Sequence, residues 1–165
     1  MNKFQWKMQS SIGPLYLTVN KIGLVAILWK KANTPMLKSL DDSSAESKIM
    51  LQAIAEINEY LKGERRKFSI KLLPEGTEFQ QRVWNELKKI PYGETRSYKD
   101  IAICLNDKNA SRAVGTANGK NPISLIVPCH RVINTSGSLG GYAGGLDIKT
   151  ILLELERKVK SASQE

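Results

Sequence analysis

The spacing of apolar residues is strand-like at the start of the chain and helical in its second half, and that change of character narrows the available folds more than any other feature. Over residues 3–30, Phe4, Trp6 and Met8 alternate with polar positions, and Leu15, Leu17 and Val19 do the same after Gly13-Pro14. Leu24 to Trp29 is then a short apolar run behind Gly23. A two-residue period places alternate side chains on one face of a strand, so these segments read as strands joined by tight turns, an antiparallel meander. Beyond residue 77 the period becomes helical: Phe79, Val83, Leu87 and Ile90 fall on one helical face. Sheet first and helices second is the pattern of an α/β (α+β) protein whose two halves are built differently. Pro74-Glu75-Gly76 supplies turn residues at the junction, which predicts an N-terminal α/β domain over 1–75 and a mostly helical domain over 76–165.

Within the first half, Asn33-Thr34-Pro35 breaks the strand pattern. Ser43 with Glu46 has capping-box spacing ahead of a helix with Met50, Ile54, Ile57 and Leu61 on one face, and Gly63 ends it. Phe68, Ile70 and Leu72 alternate as a further strand. In the second half, Thr77 with Gln80 repeats the capping box and Pro91-Tyr92-Gly93 stops the helix. Ser97 with Asp100 opens a short helix through Ile101 and Leu105, Asn106 to Asn109 form a polar turn, and another short helix runs from Ser111 to Asn118. This is the outline of a helix-turn-helix, a shape that many helical hairpins share without binding anything. From Asn121 to Gly145 periodicity is lost among prolines and glycines, although Ile123 to Val127 are largely apolar. A long ordered loop inside a compact domain is usually functional. A last helix begins near Asp147, with Ile148, Ile151, Leu152, Leu155 and Val159 on its apolar face.

Bulk properties exclude several classes. At 165 residues and 41% hydrophobic content, the chain can bury a core without disulfides or metals. Its two cysteines and one histidine cannot form a tetrahedral zinc site without carboxylates, and two unclustered cysteines point to a reducing compartment. No apolar run approaches the ~20 residues of a membrane span, and the first residues lack a signal peptide's apolar core, so a cytoplasmic location is expected. The formal net charge of +9 favours polyanions such as nucleic acid. Residues 1–75 carry 12 basic and 7 acidic side chains and residues 76–165 carry 13 and 9, so charge marks neither half as the binding half.

Chemistry concentrates in Val127-Pro128-Cys129-His130-Arg131-Val132. A thiol becomes a nucleophile when an imidazole takes its proton or a cation favours its thiolate, and both kinds of group follow Cys129 directly. On an extended strand neighbouring side chains point to opposite faces, so His130 reaches the thiol only around a bend or through a bridging water. The competing reading is a buried inert cysteine beside a hydrogen-bonded core histidine. Cys104, inside Ile101-Ala102-Ile103-Cys104-Leu105 with no adjacent cation, reads as core.

Ser97-Tyr98, Ser111-Arg112-Ala113-Val114-Gly115, Asn121-Pro122, Pro128-Cys129-His130-Arg131 and Tyr142-Ala143-Gly144-Gly145, in this order and spacing, resemble the O6-alkylguanine-DNA alkyltransferases. The similarity is strongest to the stand-alone bacterial methylated-DNA–protein-cysteine methyltransferases. It covers residues 77–157 closely and 1–75 loosely. The resemblance implies that Cys129 accepts an alkyl group, that His130 acts as base through a water, that Glu156 holds the imidazole, and that Asn121 braces the loop. It implies that Arg112 enters the duplex in place of an extruded base, that Tyr98 crowds the phosphate and meets the flipped guanine, and that Ser111, Ala113, Gly115 and Thr135 lie against DNA. Val132, Tyr142, Ala143 and Gly144 would shape the alkyl pocket, with the Ala143 amide facing the guanine oxygen. Ser124 stands where many relatives have a second proline, Ala143 where some have serine, and Ile151 where a tryptophan is common. No cofactor or metal is implied. The implied partner is double-stranded DNA containing O6-alkylguanine, met by a monomer, with cooperative loading left open.

By pattern alone, Glu154 rivals Glu156; the latter lies only about 40° from Leu152 around the helix. The small residues Ala110, Ser111, Ala113, Gly115 and Ala117 suit either close approach to a minor groove or helix packing. Two other functions remain open at this level. A non-catalytic helix-turn-helix or lesion-binding protein explains the charge but not Pro-Cys-His-Arg. A cysteine hydrolase is disfavoured because such enzymes assemble Cys and His from distant positions.

Overall fold

The computed structural model describes residues 1–164, which fall into two compact units that divide between Glu75 and Gly76. The first unit opens with an antiparallel sheet of β1 (Phe4–Ser10), β2 (Gly13–Val19) and β3 (Leu24–Leu28), in that spatial order. Gly13 turns β1 into β2 at φ +100, a conformation glycine adopts without a Cβ penalty. The core face carries Leu15, Leu17, Val19, Leu24 and Ile27, all fully buried. On β1, however, Phe4 and Trp6 are half-buried and the enclosed side chains are Gln5 and Met8. Gln5 is a clamp for the segment after β3. Its backbone donates to Pro35 O at 2.8 Å and accepts from Leu37 N at 2.9 Å, while its side chain bonds Ala32 and Thr34.

Helix α1 (Ala45–Leu61) packs on this sheet through Met50, Ala53, Ile57 and Tyr60. Its N-cap is Ser44, which accepts from Ser47 N, rather than the expected Ser43–Glu46 box. Ser43 instead binds Asp41 through backbone and hydroxyl. At the other end Gly63, at φ +78, closes a left-handed cap in which Glu64 N reaches Glu59 O and Gly63 N reaches Tyr60 O. The strand expected over Phe68 to Leu72 is reduced to one parallel bridge between Leu24 and Leu72. The reason lies in Glu56, 3% exposed, whose carboxylate takes the backbone N–H of Ser69 and Ile70 and so removes them from any ladder.

The second unit is helical: α2 (Glu78–Leu87), α3 (Tyr98–Cys104), α4 (Ser111–Gly119) and α5 (Leu146–Ala162). Both capping boxes expected here, Thr77–Gln80 and Ser97–Asp100, are formed. Trp84, 1% exposed, ties α2 to α4 by donating its indole N–H to Ala117 O at 2.8 Å. Between α3 and α4 the chain turns tightly, with Asn106 at φ 60. Two short strands, β4 (Arg96–Ser97) and β5 (Val132–Ile133), pair in parallel. This small ladder fastens the start of α3, and so Tyr98, beside the segment that follows Cys129-His130-Arg131.

Two helix faces differ from the apolar pattern. On α3 the buried residues are Ile101 and Ala102, and Cys104 is exposed, not core. The helix is only seven residues long, and its C-terminal Cys104 points away from the face that Ile101 and Leu105 bury. On α5 the fully buried stripe is Lys149, Leu152 and Glu156, at i, i+3 and i+7, while Ile151 is exposed. Polar side chains occupy the centre of that face because buried partners await them.

Candidate active site

Pro128 opens a single 3-10 turn, Cys129–Arg131, after which the chain enters β5. The turn is the bend that lets three consecutive side chains take three different directions, and all three are buried. Asn121 braces the loop leading into it. Its Nδ2 donates to Val127 O at 2.8 Å and its Oδ1 accepts from Ile123 N at 3.0 Å. The same loop holds Leu125 at φ 73 and 1% exposed, a strained backbone for a branched side chain, offset by burial.

His130, fully buried, places Nε2 2.7 Å from Glu156 Oε2. Arg131 grips the same carboxylate as a fork, Nε to Oε1 at 2.7 Å and Nη2 to Oε2 at 3.0 Å, and its Nη1 donates to Ile90 O at 2.8 Å. Gly93 N adds a donor to Oε1 at 3.1 Å. Arg131 is therefore spent on Glu156, not on the thiol its place in sequence suggested. Burial pushes the Glu156 carboxyl up, but the hydrogen bonds from His130 and Arg131 outweigh it and hold the group well below the usual carboxylate range. His130 is lowered as well, but by burial, which outweighs the pull of Glu156, so the imidazole is neutral. With Glu156 ionised, Nε2 must be the ring's donor, which leaves Nδ1 as its acceptor, the atom able to take a proton. Glu154, the rival position, is exposed.

The Cys129 thiol is 4% exposed, and burial raises its pKa. Hydrogen bonds from the Asn121 and Ser124 side chains and the charge of Lys149 act in the opposite direction. Lys149 had no signal in the sequence beyond its place between apolar positions. Fully buried, it donates Nζ to Val132 O at 2.6 Å, to Leu139 O, and to Gly141 O at 3.3 Å. One ammonium thus ties three points of the loop after Cys129. Burial lowers its pKa to about 8, while the nearby thiol favours its charge.

A cavity of about 290 Å³ opens onto the thiol, walled by Tyr98, Gly115, Asn118, Asn121, Ser124, Gly141, Tyr142 and Ala143. Both phenols are raised in pKa, first by burial and then by the Cys129 thiol, so they stay protonated donors. Gly115 lies against the Tyr98 ring, where a Cβ would make only an ordinary van der Waals contact at 3.7 Å. A second, open cavity of about 380 Å³ shares Tyr98, Gly115 and Gly141 and is lined by Ser111, Arg112, Asn134 and Thr135. Arg112 and Ala113 are exposed on α4, and Arg112 has no ion pair among the described residues. Ala117 is buried in helix packing, so the small residues of α4 serve two faces rather than one. Val132 is buried and contributes its carbonyl to Lys149, and Gly144 is half-buried in the loop. Neither is among the walls of the thiol cavity.

Comparison with known proteins matches this geometry to a family. Residues 78–158 match the 6-O-methylguanine DNA methyltransferase DNA binding domain, and residues 5–74 match the ribonuclease-like domain of the same proteins. A methylated-DNA–protein-cysteine methyltransferase of Methanosarcina acetivorans is 49% identical across 90% of this chain and 94% of its own length. One from Mycobacterium leprae is 47% identical across 91% and 90%. The crystal structure of the Mycobacterium tuberculosis O6-methylguanine methyltransferase superposes with a TM-score of 0.80 at 43% identity, covering 94% of this chain and 93% of that one. Mycobacterium tuberculosis OGT in complex with DNA also gives 0.80, at 42% identity over 96% and 94%.

Proposed function

The chain belongs to the 6-O-methylguanine DNA methyltransferase family, and from that premise we propose that it repairs duplex DNA in the cytoplasm by moving an alkyl group from O6 of guanine to its own Cys129. The observation that carries the reading is the 2.7 Å contact of His130 Nε2 with Glu156, beside a thiol that faces a cavity of about 290 Å³. Glu156 fixes the tautomer, so Nδ1 is the base and takes the thiol proton, through a water where the two do not touch. The thiolate attacks the alkyl carbon, the carbon–oxygen bond breaks, and its electron pair leaves on the guanine oxygen. Guanine takes up a proton at N1 and the imidazolium returns one, so in sum the alkyl group replaces the thiol hydrogen. The product is a thioether, which water does not cleave, and each molecule therefore acts once. O4 of thymine presents the same kind of alkyl–oxygen bond and is a second substrate.

Reaching a base inside a duplex requires extruding it, at a cost of a few kcal/mol. Arg112, exposed on α4 beside the open cavity, fills the gap left in the stack, and Tyr98 meets the extruded nucleotide. Ser111, Ala113, Gly115 and Thr135 then face DNA, and Tyr142, Ala143, Gly144 and Val132 shape the pocket and its rear support. Residues 76–165 carry binding and transfer. The protein works as a monomer and needs no cofactor, since the lesion is the donor.

The test is to mix the protein with duplex DNA carrying one O6-methylguanine and map adducts by peptide mass spectrometry. One methyl on Cys129, saturating at one per molecule, is expected. Cys129→Ser keeps lesion binding and loses transfer. Continued transfer by that variant, or release of methylated product with turnover, would overturn the assignment.

A further inference from the structure

Within the N-terminal unit the positive charge is gathered into one segment. Residues 62–71 hold five basic side chains and one acidic, a surplus of +4 in a unit whose whole surplus is +5. The segment is fixed from within. Arg65 turns back on it, Nε to Glu59 Oε2 at 2.8 Å and Nη1 to Lys67 O at 2.9 Å. The buried Glu56 carboxylate holds Ser69 through its backbone N–H at 2.7 Å and its hydroxyl at 3.0 Å. Phe68 packs on Tyr60, with ring centroids 5.5 Å apart, and Ile70 is buried. Lys62, Arg66, Lys67 and Lys71 are left exposed on a fixed stretch of backbone.

The β2–β3 turn adds a further cation. Leu24 N donates to Lys71 O at 2.9 Å, and a Cβ on Gly23 would stand 2.6 Å from that carbonyl, so glycine is what lets the turn press against the segment. Lys21, exposed in the same turn, thereby joins the edge that Lys71 occupies. Lys21, Lys62, Lys67 and Lys71 make no ion pair among the described residues. Like charges held on one edge repel, and an anion that meets several of them at once relieves the repulsion. The evenly spaced phosphates of a duplex are such an anion. Single strands are held by stacking bases on aromatic rings, and Phe68, the one aromatic of this edge, is turned onto Tyr60. A lipid surface calls for an apolar face beside the cations, and Ile22, 41% exposed, is a single point.

We propose that the edge formed by Lys21, Lys62, Arg66, Lys67 and Lys71 is a second DNA-contact surface, which binds the phosphates of undamaged duplex without regard to sequence or lesion. Ammonium groups that meet phosphates position a protein on DNA and read no base. The edge belongs to the unit that carries neither Cys129 nor α4, and its action is separate from lesion binding and alkyl transfer.

The experiment measures the affinity of the full chain for an undamaged duplex across a salt series. An edge variant carries Lys21→Gln, Lys62→Gln, Lys67→Gln and Lys71→Gln. A control variant carries Lys7→Gln, Lys30→Gln, Lys38→Gln and Lys48→Gln, exposed lysines of the same unit that also make no ion pair among the described residues, and so removes the same charge elsewhere. The slope of log affinity against log salt should shrink by about 2 in the edge variant, the worth of two phosphates, and by less than about half a unit in the control. Both variants should keep the wild-type rate of transfer from the free base O6-methylguanine, since neither touches a group of the thiol site. An edge variant with the wild-type slope overturns the proposal. Equal losses in the two variants also overturn it, because the field of the whole unit, and not this edge, then attracts DNA. If the edge variant loses only its binding to vesicles rich in phosphatidylglycerol, the partner is a lipid surface and the proposal fails. Absence of methyl transfer in the wild type would sink the alkyl-transfer reading and leave this one to be decided by the salt slopes.

Discussion

Glu156 is the residue on which the site turns, because a single carboxylate orients the base, pairs a buried guanidinium and receives the Gly93 amide. Removing one partner of a buried pair strands the other, at about 3–5 kcal/mol. Glu156→Gln should therefore lower stability by that order in denaturant titration, as well as slowing transfer. A loss under about 1 kcal/mol would mean that Arg131 finds another partner. The acid dependence has a definite sign. The folded Glu156 carboxyl lies below its ordinary 4.5, so its stabilisation is present above that pH and is lost as pH falls below it. His130 lies below its ordinary 6.5 when folded, so the unfolded chain takes up its proton first and stability also declines below about 6.5. Wild type should lose stability in both ranges, and Glu156→Gln only in the upper one. Lys149→Met removes the charge that favours the Cys129 thiolate and unties three loop carbonyls. It should slow transfer most near neutral pH, where little thiolate forms, and recover partly at high pH. A uniform loss at all pH values would assign Lys149 to loop positioning alone.

At the scale of elements, α4 and the loop behind it do separate jobs on two faces of one short helix. Arg112→Ala should reduce transfer from a duplex by at least about tenfold more than transfer from the free base, since only the duplex requires extrusion. Rates falling equally on both substrates would place Arg112 in the chemistry instead. The helices and their caps were legible in sequence where local signals suffice: Thr77–Gln80 and Ser97–Asp100 are three-residue patterns that close on themselves. Where a distant group decides, they were not. The strand pattern of Phe68 to Leu72 yields to the Glu56 carboxylate 13 residues from Ser69. The apolar face expected on α5 is centred instead on Lys149 and Glu156, whose acceptors and donors come from the loop and the 3-10 turn. Cys129 and His130 are adjacent and drew attention as a motif. Asn118 and Lys149 carry no motif, and only burial without an apolar side chain marks them out.

Over the whole molecule, the net charge of +9 is divided almost evenly between the two units, so a polyanion is attracted without being aimed at one site. Attraction of that kind comes from displaced counterions and weakens with salt, whereas attack of a buried thiolate on a neutral base does not. The two can be separated by following transfer from methylated duplex, below saturation, and from the free base O6-methylguanine across the same salt series. With about four phosphate contacts, raising salt fourfold should cost roughly a hundredfold in duplex affinity. The free-base rate should stay nearly constant, because Cys129, His130 and Glu156 are enclosed and poorly screened. If instead both rates fall together, salt is reaching the ionised groups of the site, and the enclosure seen around Glu156 and Lys149 opens in solution on the way to transfer.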